Sequence, residues 1–204
     1  MFKRRGKQRE RSGTPADLLV VGLGNPGARY QGTRHNIGVD VIELLSQRHG
    51  DRFRKTKELA LVDEVRVGSW RVVLAFPTTF MNESGQAVAK LVQRHGIDDP
   101  AQVVVVHDEI DLPVGRMKIK LGGGLAGHNG LKSIKAHLYS DAFGRVRVGV
   151  GRPPGQMRGA DYVLKQPSKA DRVELDIVCH EAADAIELIL TDGYEAAMTR
   201  YNAN

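Results

Sequence analysis

The chain has 204 residues, of which 41% are hydrophobic and 26% charged, a composition typical of a single globular domain. No apolar run approaches the roughly 20 residues of a membrane span, and no apolar stretch follows the basic N-terminus as in a secretory signal. The lone cysteine, Cys179, excludes an internal disulfide and a cysteine-based zinc site. We therefore expect a cytoplasmic protein without a membrane partner.

The formal net charge of +6 is unevenly distributed. Residues 1–15 carry six basic groups and one acidic group, residues 115–169 carry 11 and two, and residues 170–204 carry two and eight. A basic segment beside an acidic one favours a surface for a polyanion, although chance clustering on a solvated surface would give the same pattern.

The first half of the chain predicts alternating strands and helices. Residues 1–15 combine charge with Gly, Ser and Pro and predict a disordered basic arm, which leaves 16–204 as one folded domain. A buried strand is expected at 17–23, and Asn36 is placed to cap a helix from Ile37 to about Gly50. A hairpin follows at 59–67 and 70–76, then a helix from Asn82 or Ser84 to Gly96, and a strand from Val103 to His107.

The second half predicts further strands at 115–121 and 145–150, separated by a glycine-rich loop (122–130) and a helix at 131–138. A long loop at 151–168 leads to an acidic helix that Ser168 and Asp171 cap and that runs to about Leu190. These elements predict an α/β fold: a single domain with a twisted mixed β-sheet flanked by helices on both sides.

Polar residues follow three of the predicted strands. Asn25, Asn82 and Asp108 each come just after an apolar run, and His35 lies between the first strand and its helix. Ligands of open α/β sheets bind outside the carboxyl ends of the strands, so we expect these groups in one crevice. A histidine, a carboxylate to orient it and amides to hold a carbonyl predict a hydrolase that activates water.

Two other sites have to be weighed against this one. The run from Gly22 to Gly27 fits the dinucleotide pattern G-x-G-x-x-G, but no helix opens at the last glycine, and no acidic residue ends a second strand. A metal site is the other alternative: His35, His107 and the carboxylates around Asp108 could supply ligands, although no metal-binding spacing is present. The glycine-rich loop lacks the G-K-[ST] ending of a phosphate-binding P-loop. Its composition indicates either a mobile loop that closes over a bound substrate or a flexible hairpin.

The motifs GLGNPG, TRHN, PTTFMN, HDEIDLP and GGGLAGHNG, with Tyr30 after the first, closely resemble those of bacterial peptidyl-tRNA hydrolase in order and spacing. The resemblance covers about residues 17–202. It implies an α/β enzyme that cleaves the ester between a peptide and the 3′ ribose of tRNA without metal or cofactor, and so returns tRNA to translation. We take a monomer as the default.

The resemblance also implies roles for single residues. His35 is the general base, Asp108 stabilises its active form, and Asn25 distinguishes blocked from free aminoacyl ends. Four further positions contact the substrate: Tyr30, Phe80, Asn82 and Asn129. Three positions are assigned to tRNA: Lys120, Arg147 and Asn36.

Two features depart from the family pattern. Leu125-Ala126 stands where some members have His-Gly, which puts a contact of the glycine-rich loop in doubt, and the arm 1–15 has no counterpart. A rival interpretation is a noncatalytic RNA-binding relative, such as the chloroplast group II intron splicing factor of the same fold, which could retain the cleft residues.

Overall fold

A computed structural model describes residues 15–203. They fold into one mixed seven-stranded sheet that lies between two layers of helices. The strand order is β2-β3-β4-β1-β5-β7-β6. The four inner strands β4, β1, β5 and β7 are mutually parallel, whereas β3, β2 and β6 pair antiparallel with their neighbours. The strands are β1 (Leu18–Gly22), β2 (Arg54–Lys55), β3 (Ala60–Val67), β4 (Trp70–Pro77), β5 (Val103–Glu109), β6 (Met117–Leu121) and β7 (Gly144–Gly149).

The helices cover both faces of the sheet. They are α1 (Ile37–His49), α2 (Ser84–His95), α3 (Asn129–Leu138), α4 (Gly159–Val163) and α5 (Lys169–Tyr201), with a kink at Gly193 inside α5. Leu18 and Val20 of β1 pack toward α1 and α5, and Leu19 and Val21 pack toward α2 and α3. Because both faces of the inner strands are covered, these strands read as continuous apolar runs rather than alternating ones.

The structure confirms the predicted fold class and most of the predicted elements. The hairpin turns at Gly68-Ser69, Gly96 ends α2 in the left-handed conformation, and the Ser168 hydroxyl accepts from the Asp171 amide at the start of α5. Cys179 is buried in the core, where burial raises the pKa of its thiol to about 12.

Five sequence predictions were wrong in detail. The short strand β2 was not predicted, β5 runs two residues further than expected, and α3 begins at Asn129 rather than Leu131. The loop 151–168 contains α4, a five-residue helix too short to show a period. The last helix continues to Tyr201, because the chain resumes helical structure after Gly193 (φ 86°).

The predicted arm, apart from the exposed Pro15, lies outside the described residues. The chain enters the fold where the Ala16 amide donates to the His95 carbonyl at the end of α2. Among the described helices, none has the length and apolar character needed to cross a membrane.

Candidate active site

A cleft of about 460 Å³ lies at the carboxyl ends of the central strands. The loop after β1 brings Asn25 to it, the turn after β4 brings Asn82, the end of β5 itself carries Asp108, and the 3-10 turn Arg34–Asn36 adds His35. The convergence inferred from the strand ends is therefore present, because β4, β1 and β5 are adjacent and parallel. The other residues that the sequence assigned to substrate also line the cleft: Tyr30, Phe80 and Asn129.

His35 and Asp108 form a hydrogen-bonded pair. His35 Nδ1 lies 2.7 Å from Asp108 Oδ1, and the two side chains are 15% and 4% exposed. Burial by itself would raise the pKa of Asp108, but His35 and His128 hold it well below its usual value through charge and hydrogen bonds. The carboxylate is therefore ionised and accepts a hydrogen bond from Nδ1–H of His35, which leaves Nε2 of that imidazole as the basic atom.

His128, which the sequence analysis did not single out, also bonds Asp108. Its Nε2 lies 3.0 Å from Asp108 Oδ1, and its Nδ1 accepts from the backbone amides of Gly130 and Leu131 at 3.1 and 3.4 Å. Because Nδ1 accepts at the N-terminus of α3, Nε2 carries the proton and donates it to the carboxylate. The only sequence signal for this role was the position of His128 shortly before the predicted helix 131–138, where a side chain can accept from the first backbone amides.

The same geometry bears on a metal site. The ligand atoms of His35, Asp108 and His128 lie within 4.8 Å of one another. A metal would need the Nε2 lone pair of His128, but the amides that bind Nδ1 keep the proton on Nε2. The three side chains thus fit a hydrogen-bonded cluster in which both histidines donate to Asp108 better than they fit a metal centre.

His107, which the sequence offered as a possible metal ligand, belongs to a different environment. It is 1% exposed, its Nδ1 lies 2.8 Å from the Asp108 carbonyl oxygen, and its ring packs edge-on to His128. Burial, together with His128, lowers the pKa of His107 to about 3. His107 is thus a neutral core residue that does not face the cleft.

Arg34 anchors the turn that carries His35. Its buried guanidinium donates to the carbonyl oxygen of Gln166 at 2.8 Å and to Asp171 at 2.9 Å, and it stacks over the ring of Tyr162 at 4.3 Å. These partners belong to α4, the following loop and the start of α5. The general-base candidate is therefore attached to the segment that forms one wall of the cleft.

The amide of Asn25 has a fixed orientation. Its Oδ1 accepts from the Met81 backbone amide at 2.8 Å, in the 3-10 turn Met81–Glu83 that carries Asn82. An N–H donor requires an oxygen acceptor, so the Nδ2 group is the other end of the amide and remains as a donor on a residue that lines the cleft.

Asn36 has partners that the sequence did not predict. Its Oδ1 accepts from the Asn25 amide at 2.9 Å, and its Nδ2 donates to the Asn25 carbonyl oxygen at 3.0 Å. It holds the N-cap position of α1 but makes no capping bond, and it is 5% exposed. The predicted capping bond is absent, because both polar atoms of the side chain bond the backbone of Asn25. A contact of this side chain with tRNA stays a prediction, and it would have to form beside or in place of these two bonds.

The walls of the cleft differ in character. Asn82 and Asn129 are exposed amides at the starts of a 3-10 turn and of α3, and the Tyr30 hydroxyl accepts from Arg29. The opposite wall is apolar and comes largely from α4 and the loop after β5: Phe80, Ile110, Ala160, Val163 and Leu164. Of these, only Phe80 was expected, since nothing in the sequence marked α4.

The glycine-rich loop borders the cleft at Ala126 and Gly127. Ala126 has φ 47°, in the left-handed region that favours glycine, so its departure from the family's Gly places a strained residue there. The buried guanidinium of Arg145 donates to the carbonyl oxygens of Gly122 and Gly124 and ties the loop to β7.

A basic strip lies beside the cleft on β6 and β7. Lys118 pairs with Arg147 and Lys120 with Arg145 across these antiparallel strands, so the four cations share one face. Lys120 is exposed, whereas Arg147 donates twice to the buried carboxylate of Glu109, at 3.0 and 3.1 Å. Neither Lys120 nor Arg147 lines the cleft itself.

The chain is similar to known proteins along nearly its whole length. The family model described as peptidyl-tRNA hydrolase matches residues 19–204. Curated relatives named peptidyl-tRNA hydrolase are 49% identical over 91% of the chain (Frankia alni, 93% of that protein) and 51% identical over 89% (Rhodococcus erythropolis, 96%). The crystal structure of peptidyl-tRNA hydrolase from Acinetobacter baumannii superposes with a TM-score of 0.86 at 32% identity, over 94% of this chain and 98% of that one.

Proposed function

The chain belongs to the peptidyl-tRNA hydrolase family, and we propose that it cleaves the ester of peptidyl-tRNA with His35 as general base and Asp108 as the partner of that base. The observation that carries the assignment of roles is the 2.7 Å bond between His35 Nδ1 and Asp108 Oδ1 at the floor of the cleft. The hydrolysis of peptidyl-tRNA itself follows from the family.

The pair activates water. Asp108 accepts a hydrogen bond from Nδ1–H of His35, which keeps the proton on Nδ1, so Nε2 can take a proton from a water molecule as that water attacks the ester carbonyl. The imidazolium that forms is stabilised by the adjacent carboxylate, whose pKa stays low. His128 donates to the same Oδ1 and so holds the carboxylate in place.

The amides of the cleft recognise the acyl part of the substrate. The Nδ2 donor of Asn25 is placed to bind the ester carbonyl oxygen, where negative charge develops during attack. Asn82 and Asn129 are suited to the peptide backbone, and amides that bond main-chain groups do not distinguish side chains. The aromatic rings of Tyr30 and Phe80, which also line the cleft, are suited to contact the substrate.

Lys120 and Arg147 are proposed to bind the tRNA backbone. They lie with the exposed Lys118 on one face of β6 and β7, and β7 adjoins β5, the strand that carries Asp108, so a phosphate held there would lie beside an ester in the cleft. The Glu109 carboxylate offsets the positive charge of Arg147, which leaves Lys120 as the stronger phosphate contact of the two.

Two coarser features complete the proposal. Residues 16–204 act as one domain with the basic arm 1–15 attached, and we propose that the protein acts as a monomer. We further propose a cytoplasmic location, since the substrate arises from translation. The noncatalytic alternative is not favoured, because the curated relatives are named as hydrolases.

The test is incubation of the protein with N-acetyl-aminoacyl-tRNA in the presence of EDTA. We expect release of the acetylated amino acid at an undiminished rate, because water is activated by a base and not by a metal. Loss of activity on chelation, restored by an added divalent metal, would support the metal alternative instead. No release under any condition would support the RNA-binding alternative.

A further inference from the structure

We propose that Asn36 is a positioning residue for the hydrolysis, which fixes the Asn25 amide beside His35 through two hydrogen bonds to the backbone of Asn25. This inference rests on the proposed function, because it concerns the alignment of a group that we place at the ester carbonyl. Nothing in the sequence pattern distinguishes this role from helix capping, which the structure excludes for the side chain.

The contact is a two-point clamp with one possible orientation. Asn36 Oδ1 accepts from the Asn25 amide at 2.9 Å, and Nδ2 donates to the carbonyl oxygen of the same residue at 3.0 Å. The backbone N–H requires an acceptor and the carbonyl requires a donor, so the amide cannot be reversed. The side chain therefore behaves like a neighbouring strand that pairs with a single residue.

Close packing holds the clamp in place. Asn36 is 5% exposed, and a Cβ built on Gly24 would lie 2.9 Å from Asn36 Cγ and 2.7 Å from a methyl group of Val39. Glycine at position 24 lets the side chain of Asn36 reach the backbone of Asn25. Asparagine is required at position 36, since aspartate lacks the donor and glutamine is one methylene longer.

The clamp connects two parts of the machinery. Asn36 is the last residue of the 3-10 turn that contains His35, and Asn25 is held at its other end by the Met81 amide at 2.8 Å. The general base, the proposed carbonyl donor and the turn that carries Asn82 are thus joined through hydrogen bonds. A shift of Asn25 would misalign the ester relative to the attacking water, which costs rate rather than affinity.

The test is steady-state kinetics of Asn36→Ala on a minimal N-acetyl-aminoacyl nucleotide ester that lacks the tRNA body. We expect kcat to fall about 10- to 100-fold, less than the roughly 10²- to 10³-fold cost of removing a transition-state donor outright, because the Asn25 amide stays present but loses its alignment. KM and the affinity for uncharged tRNA should change by less than about two-fold. The pH midpoint of kcat should not move, because the His35–Asp108 pair remains intact. Asn36→Asp, which keeps the shape and the acceptor, should lose activity in the same direction and serves if the alanine variant does not fold.

A double variant distinguishes alignment from general damage. If Asn36 acts through Asn25, the Asn25→Ala, Asn36→Ala variant should be no slower than Asn25→Ala alone, within about two-fold. Losses that multiply would overturn the inference, as would wild-type kcat in either Asn36 variant or a tRNA affinity loss of about ten-fold, the sign of an RNA contact.

The chain provides a matched control in Asn202. Its amide makes the same two-point contact with the backbone of Ile119, at 2.7 and 2.8 Å, far along the chain from the cleft residues. Asn202→Ala should lower the melting temperature to an extent similar to Asn36→Ala but leave kcat on the minimal ester unchanged. Equal loss of kcat in both would show that Asn36 contributes stability alone.

His35→Ala separates failure of this inference from failure of the proposed function. If His35→Ala is inactive while Asn36→Ala is fully active, only the positioning role is wrong. If His35→Ala retains wild-type activity, the proposed mechanism is wrong, and the inference falls with it.

Discussion

At the scale of single residues, the cleft is organised around one carboxylate oxygen. Asp108 Oδ1 accepts from both His35 and His128; the carboxylate itself sets the tautomer of His35, and the backbone amides at Nδ1 set that of His128. An oxygen that holds two N–H donors in a buried place stays ionised and immobile. This preorganisation is what a general base needs before a substrate arrives.

The proposed roles of His35 and Asp108 predict different losses. His35→Ala should reduce kcat by about 10³-fold or more, while tRNA affinity stays within a few-fold, because the imidazole acts on water and not on phosphate. Asp108→Asn should cost on the order of 10²-fold or more, because an amide favours the wrong imidazole tautomer. Single-turnover rates together with uncharged-tRNA binding check both.

One result for His35→Ala would contradict the assignment of the general base. If His35→Ala kept more than about a tenth of the activity, His35 would not be the general base. Circular dichroism of each variant serves as the control for folding, since Asp108 is buried and its replacement also removes a partner of His128.

At the scale of elements, the acidic residues of α5 attach the helix to the rest of the fold. Asp171 pairs with Arg34, and Asp184 and Glu187 pair with Arg48 at the end of α1. Arg172 of α5 makes the reverse contact with Asp40 of α1. The negative charge of residues 170–204 therefore has a structural use, in addition to the charge contrast with the basic segment 115–169 that the sequence shows.

The strip on β6 and β7 predicts that two cations differ in effect. Lys120→Ala should weaken tRNA binding and reduce the slope of log affinity against log salt by about one unit for each phosphate that is no longer bound, with little change on the minimal ester. Arg147→Ala should do the same and also destabilise the fold, because it leaves the carboxylate of Glu109, 3% exposed, without its guanidinium partner.

Filter-binding titrations over a range of salt concentrations, paired with melting curves, separate the two variants. Arg147→Lys is the matched control, because it retains the charge but not the two donors that Glu109 now accepts. Equal losses on tRNA and on the minimal ester would show that these residues serve the fold or the chemistry and not the tRNA.

At the scale of the whole molecule, buried histidine chemistry sets the acid limit of stability. The pKa of His107 is about 3 in the folded protein, against about 6.5 in an unfolded chain. A lowered folded pKa means that the unfolded state binds the proton first, so stability is complete above about pH 6.5 and declines as the pH falls toward 3. Asp108, also with a lowered pKa, adds to the loss below about pH 4.

We therefore expect the free energy of unfolding to fall by up to about 1.4 kcal/mol per pH unit from His107 alone over that range. Urea denaturation at a series of pH values, for the wild type and for His107→Gln, measures the difference. The variant should show a shallower pH dependence by about one proton. Parallel curves would mean that His107 takes up its proton in the folded state.

The basic arm offers a test of long-range electrostatics. Deleting residues 1–15, which carry six basic groups and one acidic group, should raise KM for peptidyl-tRNA modestly at low salt and leave kcat unchanged. The KM values of the full-length protein and the deletion variant should become equal above roughly 0.3 M salt, because screening shortens the reach of exposed charges. A fall in kcat that persists at high salt would instead make the arm part of the active structure.

The sequence by itself determined the fold class and the location of the cleft. Apolar runs of strand length that end in Asn25, Asn82 and Asp108 are local signals, and parallel neighbouring strands bring such ends together. The motif order further identified the family, and with it the residues that line the cleft. These features are readable because they depend on periodicity and on the order of residues along the chain.

Only the tertiary structure decided which group each polar side chain binds. The partners of Asn36, His128 and Arg147 lie 11, 20 and 38 positions away. A buried amide, imidazole or guanidinium must satisfy its hydrogen bonds with whatever the fold places within about 3 Å, and no local pattern records that choice. For this reason the sequence predicted Asn36 to be a helix cap and assigned no role to His128. The bond between Arg147 and the Glu109 carboxylate likewise became evident only in the structure.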